Sequence, residues 1–145
     1  MADLTLVSWI GNTELEILGI KFSDKKDINN RKGAIASCFE YIRQNEKQVA
    51  NVLILNDIED LESSVIESNV RRKLSVQVNI EVIKIRNIFP NYNPTNYEIL
   101  YKIFEKICLN AGLKGKRVFI NLSSGTPQMQ SVSLFFAATN LNATF

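Results

Sequence analysis

The 145-residue chain has no histidine. That absence removes the usual general base, the commonest metal ligand and every Ser/His or Cys/His nucleophile pair, so any chemistry has to manage without imidazole. Cysteine is scarce as well. Cys38 and Cys108 both fall at apolar positions of helical patterns, which reads as two buried free thiols in place of a disulfide or metal pair and points to the cytoplasm. Neither a metal nor a cofactor is expected. No apolar run is long enough to span a membrane, and the acid in Met1-Ala2-Asp3 does not suit a signal peptide. The glycine-rich mononucleotide and dinucleotide loops, Gly-x-x-x-x-Gly-Lys-Ser/Thr and Gly-x-Gly-x-x-Gly, are missing too. Charge of one sign is nearly balanced: a net +2 is too little to argue for duplex DNA or an anionic membrane as partner, though a small polyanion at a local site is compatible.

What is present is enough for one domain with a real core over residues 1–145. Leu4 to Ile10 is apolar and rich in β-formers, and reads as a first strand ended by turn chemistry at Gly11-Asn12-Thr13. Between Glu14 and Lys32, the residues Leu15, Ile17, Leu18, Ile20 and Phe22 suggest a small hairpin followed by a polar loop. A helix is expected from about Gly33 to Asn45, then a buried strand at Val52 to Leu55. The next helix turns Leu61, Val65, Ile66, Val70 and Leu74 inward and carries its acids early and its bases late, as the helix dipole favours. Val78 to Ile85 reads as an edge strand because Glu81 and Lys84 interrupt it. Ile88 to Pro94 is expected to be a loop. Thr95-x-x-Glu98 is a capping box that opens a helix ending at Gly112.

The most informative stretch comes last. Val118-Phe119-Ile120-Asn121-Leu122 suits a strand covered on both faces. The helix after it carries Met129, Val132, Leu134, Phe135, Phe136, Ala137, Ala138 and Leu141, which leave almost no polar side and predict a deeply buried element. Between them, Thr126 followed by Pro127 reads as an N-cap with proline at the first helical position. Unpaired backbone N–H groups at such an entrance favour an anion. Gly125 lets the backbone approach closely, and Ser123, Ser124 and Thr126 offer hydroxyls. By local chemistry alone, the same residues serve equally as a left-handed turn followed by a cap. Asn142 to Phe145 reads as the start of a fifth strand.

Strands alternating with helices predict an α/β fold: a Rossmann-like three-layer sandwich with a mostly parallel central sheet in the order 3-2-1-4 and the start of a fifth strand. Ligands of such sheets bind where the carboxyl ends of strands one and four diverge. That rule brings Ser8, Trp9, Ile10, Gly11, Asn12 and Thr13 beside Asn121 to Gln130.

The run Asn-Leu-Ser-Ser-Gly-Thr-Pro-Gln-Met at residues 121–129 resembles the ligand motif of CARF domains, the CRISPR-associated Rossmann fold, whose usual pattern is Ser/Thr-x-Gly-Thr followed closely by methionine. Trp9-Ile10-Gly11-Asn12-Thr13 and Gly33-Ala34-Ile35-Ala36 are similar to CARF proteins as well, and the chain also resembles the sensor module of RNA-repair transcriptional regulators. The resemblance implies a homodimer that binds a cyclic oligoadenylate, tetra- or hexa-adenylate, in type III CRISPR immunity. It implies that Ser123, Ser124, Gly125 and Thr126 hold phosphate and ribose, and that Gln128 and Met129 line the adenine or the dimer contact. Ser8, Trp9, Gly11, Asn12 and Thr13 would form the opposing wall. CARF domains are usually fused to an effector, so the chain reads as the N-terminal part of a longer protein. Some are ring nucleases, and on that reading Ser8, Ser123, Ser124, Lys21 and Lys116 are possible helpers, none of them assigned a catalytic role. The resemblance to transcriptional regulators also allows a sensor of another RNA-derived ligand, and the residues by themselves allow an interaction scaffold that binds nothing.

Overall fold

The computed structural model describes residues 4–20, 31–45, 49–57, 61–74, 78–88, 93, 96–113, 117–122, 126–140 and 142–144. The first strand, β1 (Leu4–Trp9), is buried along its whole length. It is followed by a short helix, α1 (Asn12–Ile17), then α2 (Ala34–Gln44), β2 (Val49–Asn56), α3 (Ser63–Leu74) and β3 (Asn79–Lys84). A single turn of helix, α4 (Ile85–Ile88), leads toward α5 (Tyr97–Asn110), and the chain closes with β4 (Arg117–Asn121), α6 (Pro127–Asn140) and β5 (Asn142–Thr144). The five strands form one sheet in the order β3-β2-β1-β4-β5, and every pairing in it is parallel. The α/β class, the order 3-2-1-4 and the added fifth strand are therefore as expected.

Side chains alternate across the strands and feed two separate cores. Leu4, Leu6, Val52, Ile54 and Ile80 pack with Leu15 and Leu18 of α1, Ile35, Phe39 and Ile42 of α2, and Ile66 and Val70 of α3. On the opposite face, Val7, Trp9, Leu53, Leu55, Val118 and Ile120 pack with Leu100, Ile103, Phe104 and Ile107 of α5 and Met129, Val132 and Phe136 of α6. This is the three-layer sandwich. β3 stands at one edge and has only one fully buried side chain, Ile80, in keeping with its charged interruptions.

Several local expectations are corrected. The hairpin expected within residues 14–32 is in part the helix α1, because Glu14 packs inward with Leu15, Ile17 and Leu18, a grouping that alternation does not give. Residues 21–30 lie outside the described residues. Gly11-Asn12-Thr13 does not simply end β1: Gly11 is the N-cap of α1 and its carbonyl accepts from Leu15 N. The cap of α5 is Asn96, one residue later than expected, with its side-chain Oδ1 accepting from Ile99 N at 3.1 Å. Residues 85–88 are helical instead of strand end and loop. Val65 of α3, expected inward, is 41% exposed, while Ile66 and Val70 carry the buried stripe.

Candidate functional site

The switch in strand order falls between β1 and β4, where β2 and β3 lie to one side and β5 to the other. At this point Ser8 is paired in register with Asn121. Asn121 Nδ2 donates to Ser8 Oγ at 3.0 Å, and Ser8 Oγ donates onward to the Trp9 carbonyl at 2.7 Å. Ser8, Trp9 and Asn121 are all buried. The Trp9 indole reaches α6, where its Nε1–H donates to Ser133 Oγ at 2.9 Å. The carboxyl ends of the two central strands and the helix beyond them are thus joined by directed bonds as well as by packing.

α6 starts as its sequence requires. Thr126 Oγ1 accepts from Met129 N at 3.2 Å, and the Thr126 carbonyl accepts from Gln130 N at 3.0 Å. Pro127 is the first helical residue. Thr126 is therefore the N-cap, with its own N–H turned toward Met129 Sδ at 3.3 Å. Met129 is buried in the core against α5, Gln128 is half-buried, and Gly11 on the opposing wall is half-buried. Ser123, Ser124 and Gly125 lie outside the described residues, as do Lys21 and Lys116 and the side chains of Asn12 and Thr13. Ser8, Trp9, Gly11, Asn121, Thr126 and Gln128 are thus gathered at one end of the sheet. Of these, Ser8 and Trp9, like Met129, face inward and support the corner from below.

Sequence reasoning missed two residues near this end. One is Ser133, the indole acceptor. The other is Glu14, whose Oε1 accepts from Ile35 N at 3.0 Å and so caps α2 from a distance of 21 residues. Gly33, which opens α2 with φ +84°, leaves room for it: a Cβ there would stand 3.0 Å from both Glu14 carboxylate oxygens. A helix entered through glycine, with no Ser, Thr, Asp or Asn to cap it, leaves its first N–H groups to water or a remote acceptor, and Glu14 is that acceptor for Ile35. Burial pushes the Glu14 carboxyl above its ordinary range, against the pull of the Ile35 and Ala34 N–H groups and of Lys73. Cys38 is pushed up by burial and by Glu14, and burial raises the Cys108 thiol to about 12. Both are free. Among the described residues no three His, Cys, Asp or Glu side chains are grouped to hold a metal, and no helix is long and apolar enough to cross a membrane.

A parallel sheet wrapped on both faces, with a capped helix entering at the switch in strand order, defines a Rossmann-like domain, a class whose ligands bind at that switch. Within that class, residues 79–144 match the family model of the Cas_Csm6 CARF domain, and the match supports a CARF domain. The matched segment contains β4, α6 and the residues between them. This family supports a sensor or binding module of type III CRISPR systems, with a nucleotide-derived ligand. No curated protein matches the chain.

Proposed function

We propose that residues 1–145 form a single ligand-sensing domain that binds a cyclic oligoadenylate, tetra- or hexa-adenylate, across the two-fold axis of a homodimer. In this reading the domain acts in the cytoplasm in type III CRISPR antiviral defence and regulates an effector fused C-terminal to it. The observation that carries the reading is the meeting of the β1 and β4 ends with the entrance of α6, of which β4 and α6 lie in the segment that matches the family. A ring of repeated phosphates suits two equivalent helix entrances related by a dyad. Pro127 has no N–H and the Met129 N–H is engaged by the cap, so the phosphate would be held chiefly through the turn that precedes the helix, by Ser123, Ser124, Gly125 and Thr126. Gln128 would serve the base or the partner subunit, and Gly11, Asn12 and Thr13 would supply the facing wall. Exposed Leu134 and Phe135 on α6 are an apolar surface of the kind a dimer covers.

Titration calorimetry with cyclic tetra- and hexa-adenylate tests this. One ring is expected per two chains, and the double substitution Ser124→Ala, Thr126→Ala is expected to abolish the heat. No heat with either ring from the wild-type protein overturns the reading.

A further inference from the structure

Buried polarity in this protein is gathered at one end of the sheet. Among the described residues the buried polar side chains are Thr5, Ser8, Glu14, Asn56, Asn121 and Ser133. All but Thr5 lie at, just after, or bonded to the carboxyl end of a strand, which makes that end the place to look for a reason. A buried hydrogen-bonded pair contributes only modest net stability, and an apolar pair of similar shape is nearly as good there. What such a pair adds is direction.

The connected part of this polarity spans three elements. It runs from Asn121 on β4 to Ser8 on β1, through the Trp9 carbonyl, and from the Trp9 indole to Ser133 on α6. The other contacts between α6 and the core, through Met129, Val132 and Phe136, are apolar and so tolerate small sliding and rotation of the helix. The indole bond does not. Ser133 lies seven residues beyond the Thr126 cap, about 10 Å along the helix axis. Trp9 belongs to the strand whose end forms the opposing wall.

We infer that Ser133 is a positioning residue for the ligand: through the Trp9 indole it fixes where the entrance of α6 stands relative to the end of β1. The inference rests on the reading of that entrance as the ligand site. Ser133 touches no ligand atom itself, since both it and Trp9 are buried.

The test uses calorimetry and the emission of Trp9, the chain's single tryptophan. Ser133→Ala is expected to weaken ring binding about tenfold, the effect of one lost buried hydrogen bond. Ser133→Thr, which keeps the hydroxyl, is expected to recover most of the affinity. A merely structural role would lower the melting temperature of Ser133→Ala and leave the affinity of the folded protein unchanged, and that result overturns the inference while the proposed function stands. A second measurement needs no variant. Ring binding to the wild type should shift the emission maximum of Trp9, which at 2% exposure is out of reach of direct stacking. Binding heat with no such shift overturns the inference alone. Absence of any ring binding overturns it together with the proposed function.

Discussion

Glu14 shows how much one side chain can decide. Its carboxylate sits at the amino end of α2, where backbone N–H groups favour negative charge, yet its carboxyl titrates above the ordinary 4.5 because desolvation is the larger effect. The groups facing it are Lys73 on α3, Cys38 on α2 and Lys32, which with Lys73 lines the small cavity beside Glu14. A raised folded-state pKa means that folding favours the protonated form. Its contribution to stability is complete below the unfolded value and is lost as pH rises through the folded one. The melting temperature of the wild type relative to Glu14→Gln is therefore expected to fall across a window that opens at the ordinary carboxyl value of 4.5 and extends upward from it. With no histidine in the chain, no imidazole competes in that window. Parallel melting curves for the two proteins across the window would show that burial of Glu14 has no such cost. Gln keeps an acceptor for Ile35 N, so the comparison isolates charge from the cap.

At the scale of elements, α6 departs most from expectation. Its composition predicts burial on all sides, but Met129, Val132 and Phe136 face the core while Leu134 is 42% and Phe135 62% exposed. Leaving a phenylalanine in water forgoes about 2 kcal/mol of burial, and Phe135 recovers a little through Tyr101, with ring centroids 6.1 Å apart. Replacing Leu134 and Phe135 by serine is expected to weaken self-association in sedimentation equilibrium while changing the stability of the subunit by only about 0.5 kcal/mol. A large loss of subunit stability with unchanged association would instead make this face part of the core. Composition could not separate these cases, because an apolar helix is written alike whether it is covered by its own chain or by another. α1 was hidden for a related reason: Leu15 and Ile17 suit a period of two, while Leu15 and Leu18 suit one of 3.6. The contact that fixes it, from Glu14 to Ile35, lies outside any local window. The cap of α5 moved one residue because Asn96 and the neighbouring Thr95 are both good caps. β1, β2 and β4 were easy to read, being apolar runs closed by Asn or Gly, and Thr126-Pro127 marked its helix start without ambiguity. The meeting of β1 with β4 was legible from the alternation of elements. The inward orientation of Ser8 and Trp9 was not, since a strand buried on both faces has no polar side to orient it.

At the scale of the whole molecule, the parallel sheet places Thr126 and the entrance of α6 near the end of β1 while two cores fix the helices on either side. As a sensor, the protein is expected to leave labelled cyclic tetra-adenylate intact when the two are incubated in equal amounts with a chelator. Conversion to linear product, followed by chromatography, would identify it as a ring nuclease instead. The state of the thiols has a practical use in such work. Cys108 is held at about 12 and Cys38 is raised and only half-exposed at most, so maleimide chemistry at neutral pH finds the native chain a quiet background. A spin label or dye attached through one engineered exposed sulfur would then measure, with little cleanup, how far apart two copies stand with and without the ring.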